Sequence, residues 1–491
     1  MTHQTSLLAP TDGWPGRIHT ADGWTPGGDG EFPAVEKATG KELATVGRAS
    51  VEDVRLAAGR ARQAQREWAA LPYERRAAVL REAGWLWEAH AAEVGDWIVR
   101  EAGSVPAKAV LETHIAAQEC YEAAALPSLP SGAVLPSAEP RWSISRRAPA
   151  GVVSVIAPFN FPLILSIRSV APALALGNAV LLKPDPRTAV CGGVALVRIF
   201  EEAGLPAGLL HLLPGGADIG AALVTAPEVR VVSFTGSTAA GRAVGALAGQ
   251  HLKRAHLELG GNNALVVLPG ADLAKAASAG AFGSFLHQGQ ICMTTGRHLV
   301  HESLHDAYVE ALAAKADHLP VGDPATGQVA LGPIIDAGQV SRIDGLVRRT
   351  VEAGARLAAG GTYEGLFYRP TVLAGVTPDM PAYAEEVFGP VAPVVPFGTV
   401  EEAIALASDS EYGLSLGILG EVGTAMRIAD AVPSGIIHIN GQTVSDEANA
   451  PFGGVRASGT GSRFGGPEAN IEAFTEAQWL TVRADIAPYP F

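Results

Sequence analysis

The sequence predicts an α/β protein of two or three domains, organised around a parallel β-sheet. Its 491 residues are too many for one ordinary domain. Its hydrophobic content of 48% is sufficient for substantial cores. From residue 151 to about residue 270, short apolar runs typical of strands alternate with segments of helical periodicity. This alternation is typical of βαβ units on a parallel sheet.

The first 125 residues are predicted to be mainly helical after an irregular start. One helix is predicted from Ser50, a capping residue, with Asp53 three residues later and apolar residues at helical spacing. A second begins at Pro72, a favoured first-turn residue, and its periodicity continues over residues 72–103. A segment rich in Pro, Gly and Ser over residues 126–140 then predicts a connection.

Two short β-like runs, residues 141–148 and 151–158, follow this connection, and alternation in the first predicts an exposed ribbon. The other strand candidates are residues 179–184, 209–215, 229–237 and 255–261. The helix candidates between them are residues 161–176, 188–204 and 237–250.

Polar and glycine residues follow four of the predicted strands. The residues at or just after the strand ends are Asn160, Lys183, Gly236 and Glu258. Parallel sheets bind ligands beyond the carboxyl ends of their strands. These positions therefore predict a site at one edge of the sheet.

The charge balance and apolar patterning exclude several classes of partner. A formal net charge of −14, from 36 basic and 50 acidic residues, argues against nucleic-acid binding. The N-terminus has no basic start followed by an apolar core, so no secretory signal is predicted. The longest apolar stretch, residues 169–182, is interrupted by Pro172 and Gly177 and is shorter than the roughly 20 residues that span a bilayer. We expect a soluble, cytoplasmic protein without nucleic-acid or membrane partners.

The three cysteines, Cys120, Cys191 and Cys292, are far apart and form no C-x-x-C pair. A disulfide framework and a metal site are therefore not expected. Cys120 and Cys191 are interpreted as small buried hydrophobic residues. Cys292 lies in a Gly/Thr-rich stretch after Gln290. Its spacing alone is compatible with a buried packing residue, a metal ligand or a nucleophile.

The phosphate-binding motifs are imperfect. Residues 236–242 approach a P-loop, but Arg242 and Ala243 replace the required lysine and hydroxyl. Residues 459–466 approach G-x-G-x-x-G without following a strand. What remains is a glycine turn between strand and helix at 235–238, a reasonable anion site.

Seven segments together resemble the aldehyde dehydrogenase superfamily. Residues 257–267, LELGGNNALVV, and 289–297, GQICMTTGR, are similar to its two signature segments. The other similar segments, in the family's order, are 158–163, 181–188, 234–238, 385–390 and 451–461. Residues 166–188 and 440–466 most resemble the aromatic branch of benzaldehyde and vanillin dehydrogenases.

The resemblance implies an aldehyde dehydrogenase fold. Its cofactor domain is Rossmann-like without the usual glycine fingerprint, and is expected over residues 1–126 and 149–258. An α/β catalytic domain is expected over 259–440. A small β oligomerisation element is expected over 127–148 and 470–491, which implies a homodimer or homotetramer.

The resemblance also implies a catalytic set of three residues. Cys292 would add to the aldehyde as a thiolate, forming a thiohemiacetal that becomes a thioester on loss of hydride. Glu258 would be the general base for thioester hydrolysis, which favours a free acid over acyl transfer to coenzyme A. The Asn160 side chain and the backbone N–H of Cys292 would stabilise the oxyanion.

The cofactor implied is NAD, with NADP possible. Lys183 would bind the adenosine ribose, Glu386 the nicotinamide ribose, and Phe388 would pack near the nicotinamide. Gly236 and Ser237 would meet the pyrophosphate through a backbone N–H and a hydroxyl. Further cofactor candidates are Pro158, Phe159, Leu259, Asp185 and Arg187, with Gln339 and Arg342 as weaker ones on the adenosine side. Pro186 stands where NAD-specific relatives often carry a glutamate, so Asp185 and Arg187 decide the choice between NAD and NADP.

The substrate is expected to meet one helix face and the residues beside the thiol. Phe161, Ile164 and Arg168 are spaced i, i+3, i+7 and share that face. Phe161 and Phe452 would sandwich an aromatic ring, with Ile291 and Met293 flanking Cys292. The alternatives are core packing for the phenylalanines, an ion-pair role for Arg168 and a structural role for His287.

Two other functions remain open at this point. The same fold could act on aliphatic aldehydes or semialdehydes. A cofactor-independent cysteine acyltransferase or esterase is the more distant alternative.

Overall fold

The computed structural model describes residues 6–9 and 13–491. It contains two seven-stranded sheets, a three-stranded sheet and two short hairpins, with helices packed on the large sheets. The α/β fold predicted from the sequence is confirmed, and the seven-stranded sheets are mostly parallel.

The strands are β1 (Arg17–Thr20), β2 (Gly23–Pro26), β3 (Glu31–Val35), β4 (Glu42–Gly47), β5 (Gly132–Val134), β6 (Trp142–Pro149), β7 (Val152–Ile156), β8 (Ala179–Lys183), β9 (Leu210–Leu212), β10 (Val229–Thr235), β11 (Arg254–Glu258), β12 (Asn263–Val267), β13 (Thr295–His301), β14 (Arg356–Ala359), β15 (Tyr363–Glu364), β16 (Phe367–Tyr368), β17 (Thr371–Ala374), β18 (Val391–Phe397), β19 (Ser415–Leu419), β20 (Ile436–Ile439) and β21 (Thr475–Val482).

The α-helices are α1 (Val51–Ala70), α2 (Tyr73–Ala89), α3 (Ala91–Ala102), α4 (Pro106–Ala125), α5 (Pro162–Ala175), α6 (Ala195–Glu202), α7 (Ala217–Thr225), α8 (Thr238–Gln250), α9 (Leu273–Phe285), α10 (Glu302–His318), α11 (Ala337–Glu352), α12 (Pro381–Ala384), α13 (Val400–Ser408), α14 (Val422–Ala431) and α15 (Pro467–Phe474).

The first large sheet has the order β11-β10-β7-β8-β9-β1-β2. Its five strands from β11 to β9 are parallel, whereas β1 pairs antiparallel with both β9 and β2. The central strands β7 and β8 are buried along their whole length, which explains their continuous apolar sequences. All five strand candidates between residues 151 and 261 are therefore present in this sheet.

The prediction of an irregular start before a helical region was wrong. Residues 17–47 form four strands, of which β1 and β2 extend the first sheet and β3 pairs with β4. These strands are four to six residues long and partly exposed. Strands this short show little alternation of apolar and polar residues, and the neighbouring Gly and Pro residues are typical of loops.

The helix predicted from Ser50 is confirmed as α1. Ser50 Oγ accepts a hydrogen bond from the Asp53 N–H at 3.2 Å, and the Asp53 carboxylate accepts one from the Ser50 N–H at 2.7 Å. The longer helix predicted from Pro72 is instead two helices, α2 and α3, which meet at His90, and Pro72 is the N-cap residue. Helix α7 was not predicted.

The second large sheet has the order β14-β17-β18-β13-β12-β19-β20, with only β14 antiparallel. The small sheet has the order β21-β6-β5 and is antiparallel. The run predicted as an exposed ribbon is β6, which lies in the small sheet, whereas the second run is β7 inside the first large sheet. The boundaries proposed for the three domains stay predictions.

Within residues 6–9 and 13–491, no helix is both long and apolar enough to cross a membrane.

Candidate active site

The polar residues at the strand ends lie along one edge of the first sheet. Ile156 of β7 is in register with Lys183, the last residue of β8. Thr235 of β10 is in register with Glu258, the last residue of β11. Gly236 directly follows β10, and Asn160 lies in the loop that joins β7 to α5. The sequence prediction of a shared edge therefore describes the backbone correctly.

A cavity of about 200 Å³ lies next to this edge. Both Asn160 and Cys292 contribute to its walls. All six residues predicted to meet the substrate also line it, namely Phe161, Ile164, Arg168, Ile291, Met293 and Phe452. The structure thus brings the predicted nucleophile, the predicted oxyanion donor and an apolar cavity together.

Cys292 lies in the loop between α9 and β13 of the second sheet. Asn263 Nδ2 fixes this loop by donating to the carbonyl oxygens of Cys292 and Thr294, both at 2.8 Å. Burial raises the pKa of the Cys292 thiol to about 12, and the neighbouring carboxylates of Glu386 and Glu258 add to that rise. The thiol is therefore held in its protonated form in the free protein.

Asn160 is buried, and its side-chain Nδ2 donates to the backbone carbonyl oxygen of Gln290 at 2.8 Å. A side-chain amide has two N–H groups, so one remains to be shared with a ligand in the cavity. The backbone N–H of Cys292 also has no partner within the described part of the chain. Two free N–H donors thus flank the thiol.

Glu258 is buried at the end of β11 but does not line the cavity. Its Oε2 accepts from the Gly454 N–H at 3.2 Å, while its Oε1 is buried without a hydrogen-bond partner. Burial raises the pKa of this carboxyl well above its ordinary value. A carboxylate with a raised pKa is a stronger base, which suits proton abstraction from water.

Arg168 contributes both a charge and a surface to the cavity. Its guanidinium pairs with Glu119, at 3.3 Å, and with Asp446. It also lies 4.5 Å from the centre of the Phe452 ring. Arg168 Nη1 is buried without a partner. The ion-pair and cavity interpretations of Arg168 therefore describe the same arrangement.

His287 packs against the cavity wall rather than the thiol. Its ring meets the Phe161 ring edge to face, with 5.6 Å between the ring centres. Neither ring nitrogen has a hydrogen-bond partner among the residues that the structure describes, and burial lowers the pKa of the imidazole well below its ordinary value. A neutral, packed imidazole fits the structural interpretation.

Lys183, the ribose candidate, is a buried cation without a hydrogen bond or ion pair to any described residue. Burial lowers its pKa, and the charges of Asp185 and Asp218 oppose this. A buried ammonium without a partner fits a ligand that brings hydroxyl groups to this edge.

Glu386 and Phe388, two of the cofactor candidates, follow α12. Glu386 Oε1 accepts from the Gly261 N–H at 3.0 Å, and burial raises the pKa of its carboxyl to about 7. The Phe388 ring meets the Phe159 ring edge to face at 6.0 Å. Pro158 directly precedes Phe159, so the cofactor candidates Pro158, Phe159 and Phe388 lie close together.

The glycine turn at the start of α8 differs in one detail from the prediction. The Gly236 N–H donates to the Glu258 carbonyl oxygen at 3.0 Å, so the predicted pyrophosphate contact through this N–H is not available here. Ser237 is exposed and caps α8 by accepting from the Ala240 N–H. Leu259 is buried against Gly241 of the same helix.

Asp185 and Arg187 are paired with each other. Arg187 Nε and Nη2 donate to the two oxygens of Asp185 at 2.9 and 2.8 Å, and Nη1 donates to Asp336 at 2.6 Å. The same guanidinium lies 4.3 Å from the centre of the Phe159 ring. The side chains of Asp185 and Arg187 therefore face each other.

Gln339 and Arg342, the weaker candidates for the adenosine side, contact the backbone around Phe388. Gln339 Nε2 donates to the Phe388 carbonyl oxygen at 2.9 Å, and Arg342 donates to those of Val387 and Glu386 at 3.0 and 2.8 Å. They hold a backbone in which Phe388 has a φ of 54°, a strained value for a bulky side chain.

Two site residues were missed, Lys108 and Glu112 of α4. Lys108 Nζ donates to the Asn160 carbonyl oxygen at 2.8 Å and to Glu112. The only available signal was an oppositely charged pair at i, i+4, which usually marks an exposed helix face. No group of three or more His, Cys, Asp or Glu residues suited to a metal ion occurs in the described ranges.

Comparison with known proteins assigns the family. The profile of the aldehyde dehydrogenase family matches residues 24–480. A vanillin dehydrogenase of Amycolatopsis sp. is 68% identical over 97% of this chain and 98% of its own length. The benzaldehyde dehydrogenase [NAD(+)] of Pseudomonas putida is 48% identical over the same shares.

Solved structures agree with this assignment. The salicylaldehyde dehydrogenase from Pseudomonas putida G7, in complex with salicylaldehyde, is 35% identical and superimposes with a TM-score of 0.93. The match covers 97% of this chain and 99% of that one. The resemblance predicted from seven sequence segments is confirmed, and the chain belongs to the aldehyde dehydrogenase family.

Proposed function

We propose that this protein oxidises aromatic aldehydes to their carboxylic acids with NAD, through a thioester on Cys292. The observation that carries the proposal is the apolar cavity of about 200 Å³ with the thiol in its wall. An apolar cavity of roughly 150 Å³ is enough to bind benzene. One ring with small substituents therefore fits, and the names of the relatives, which act on vanillin, benzaldehyde and salicylaldehyde, support the same substrate class.

The ring is proposed to lie between Phe161 and Phe452, with Ile164, Ile291 and Met293 supplying the other apolar contacts. Arg168 Nη1 is the one buried donor of that side chain without a partner. A hydroxyl or alkoxy oxygen on the ring would supply the acceptor it lacks. Aldehydes that carry such an oxygen are therefore expected to be good substrates.

Cys292 is proposed to lose its thiol proton to water and to add to the aldehyde carbon as a thiolate. The free N–H of Asn160 Nδ2 and the N–H of Cys292 would donate to the carbonyl oxygen as it becomes negative. A bound dinucleotide supplies the acceptor for the hydride. As the hydride leaves the carbon, the negatively charged oxygen re-forms its double bond to that carbon. The product is a thioester, in which the acyl group is bound to the sulfur of Cys292.

Glu258 is proposed to activate the water that hydrolyses the thioester. Its buried Oε1 has no partner, so it is free to accept a proton. Its raised pKa makes that proton transfer more favourable. Hydrolysis returns Cys292 to the thiol and releases the carboxylic acid, in preference to transfer of the acyl group to another thiol.

The residues at the edge of the first sheet, together with Glu386 and Phe388 after α12, are proposed to bind a dinucleotide. Lys183 would bind the adenosine ribose, Glu386 the nicotinamide ribose, and Ser237 the pyrophosphate at the N-terminus of α8. The remaining proposed contacts are apolar, from Pro158, Phe159, Leu259, Gly236 and Phe388.

NAD is proposed as the preferred dinucleotide. Asp185 follows Lys183 by two residues and carries a charge that opposes a 2′-phosphate. Arg187, which would attract that phosphate, is already engaged by Asp185 and Asp336. The attraction is thus reduced, while NADP remains a weaker cofactor.

A panel of aldehydes assayed for NADH formation tests this function. Benzaldehyde and vanillin should exceed a straight-chain aldehyde in kcat/KM, and Cys292→Ala should abolish activity while leaving dinucleotide binding nearly intact. A preference for straight-chain aldehydes or semialdehydes would instead support the aliphatic alternative. Ester hydrolysis without any aldehyde oxidation would support the cofactor-independent acyltransferase.

We also propose that the protein is a dimer or tetramer. In the small sheet, strands β21 and β5 are the two edges, and Trp142 and Trp479 are each more than half exposed. Exposed strand edges and aromatic side chains are commonly covered by a partner subunit. Light scattering at micromolar concentration should show an oligomer, and a monomer would contradict the proposal.

A further inference from the structure

A buried ion pair lies directly behind the proposed oxyanion donor. Lys108 and Glu112 are one turn apart on α4, and both side chains are fully buried. Lys108 Nζ donates to Glu112 Oε1 and, at 2.8 Å, to the backbone carbonyl oxygen of Asn160. The same ammonium lies 4.3 Å from the centre of the Phe161 ring. One cation therefore contacts two consecutive residues of the cavity wall.

Glu112 holds the other side of the same turn. Its Oε2 accepts from the N–H groups of Leu163 and Ile164, at 3.0 and 3.3 Å, in the first turn of α5. The first N–H groups of a helix have no partner within the helix, and a carboxylate is favoured there by the helix dipole. Glu112 thus fixes the start of α5, while Lys108 fixes the peptide that leads into it.

Stability alone does not explain this pair. Removing two charges from water costs free energy that their attraction often does not recover, and neutral replacements are frequently just as stable. Burial lowers the pKa of Lys108, and the Glu112 carboxylate opposes that change. What the pair supplies is directed hydrogen bonding to the backbone on both sides of Phe161.

We propose that Lys108 and Glu112 are positioning residues that orient the Asn160 amide toward the reacting carbonyl. The proposal rests on the proposed function, because it concerns the same oxyanion site. Lys108 holds the Asn160 backbone, and the Gln290 carbonyl oxygen holds its side chain at 2.8 Å. Because the backbone and the side chain of Asn160 are both held, the second N–H of its side-chain amide can point in one direction only. A displacement of about 1 Å at such a group can slow the reaction by roughly 10²-fold.

The test uses a variant that removes both charges together, Lys108→Met with Glu112→Gln. Methionine keeps the unbranched shape of lysine, and glutamine keeps an acceptor oxygen for the N–H groups of α5. Because no unpaired charge is left buried, the variant should fold with a Tm close to that of the unmodified protein. Glu112→Asp, which keeps both charges but shortens the reach of the carboxylate to Lys108 and to α5, is the second variant if the double one does not fold, with an expected loss of about threefold to tenfold.

Glu101 provides a matched control. It is a buried carboxylate on α3 that accepts from the N–H groups of Val190 and Cys191, at 3.0 and 2.8 Å, at the start of another helical segment. None of its hydrogen bonds reaches Asn160. Glu101→Gln therefore removes the same kind of buried carboxylate at a helix start without changing a contact to Asn160, and should keep the full rate.

The readout is the single-turnover rate constant for benzaldehyde oxidation, with enzyme in excess and NAD saturating. This rate constant does not depend on the fraction of active protein, so partial misfolding does not change it. The double variant should be slower by about 10-fold to 100-fold. Adding the same two substitutions to Asn160→Ala should cause less than about twofold further loss, since positioning requires the amide.

Two results would overturn the proposal. One is a double variant with the unmodified rate constant. The other is a loss that multiplies with that of Asn160→Ala, because this would show that the pair acts independently of the amide. If the unmodified protein oxidises no aldehyde at all, the proposed function fails instead, and the two failures are thereby distinguished.

Discussion

The Asn160 side-chain amide donates to the backbone carbonyl oxygen of Gln290 at 2.8 Å, two residues before Cys292. Asn160 follows a strand of the first large sheet, whereas Gln290 and Cys292 precede a strand of the second. The hydrogen bond therefore joins the two sheets at the point where the proposed oxyanion donor and nucleophile meet. Displacing either sheet would separate these groups.

Asn160→Ala should lower kcat by about 10²-fold to 10³-fold, the usual effect of losing one oxyanion donor. KM should change little, because the donor matters most when charge has developed on the oxygen. Steady-state kinetics with benzaldehyde and saturating NAD measure both values. A kcat within a few-fold of the unmodified protein would show that the amide is not the donor.

The thiol of Cys292 should react slowly with iodoacetamide at neutral pH. Its pKa is raised to about 12, and only the thiolate reacts. The thiolate fraction rises tenfold per pH unit below the pKa, so the alkylation rate should still be rising at about pH 10, where an ordinary thiol of pKa ~8.5 has levelled off. Mass spectrometry of the Cys292 peptide follows the reaction.

Glu386→Gln should speed that alkylation above neutral pH. The pKa of Glu386 is raised to about 7, so its carboxylate is charged there and opposes formation of the thiolate. Glu385→Gln is the matched control, because Glu385 is exposed and its partner is Arg349. Alkylation that is unchanged or slower in Glu386→Gln would contradict this electrostatic account.

Asp185→Ala should raise kcat/KM with NADP by about tenfold, which corresponds to one charge-assisted hydrogen bond of ~1.5 kcal/mol. The change removes two contacts that restrain Arg187 and a carboxylate that repels the 2′-phosphate. Asp336→Asn removes only the third contact and should have a smaller effect. Equal efficiency with NAD and NADP in the unmodified protein would contradict the proposed preference.

Phe161→Ala should lower kcat/KM for benzaldehyde by about 10-fold to 100-fold and that for propanal much less. The ring contacts both the Lys108 ammonium and the His287 imidazole, so its orientation is fixed before the substrate binds. Its removal takes away aromatic contact worth roughly 1–3 kcal/mol. Equal losses for both aldehydes would show that Phe161 supports folding rather than aromatic selectivity.

The edge of the first sheet was predictable because strand ends follow from local pattern. Asn160, Lys183 and Glu258 each stand after a short apolar run, and parallel pairing brings such ends together. The four strands within residues 17–47 were not predictable, since they are short and depend on partners distant in sequence. A local pattern does not contain those partners.

Buried charge was the other source of error. The i, i+4 spacing of Lys108 and Glu112 is typical of an exposed ion pair, and it does not show which face of α4 is covered. The pairing of Arg187 with Asp185 likewise depends on rotamers, which the proline between them does not determine. Both contacts depend on side-chain positions, which a sequence pattern does not determine.

Trapping the acyl-enzyme in Glu258→Gln tests the central claim most directly. Glu258 is proposed to act after hydride transfer, so this variant should still form one equivalent of NADH and then stall. Acid quenching followed by peptide mass spectrometry should find a benzoyl group on Cys292 with benzaldehyde and NAD, and none without NAD. Normal steady-state turnover in this variant, or a benzoyl group on any other residue, would contradict the account.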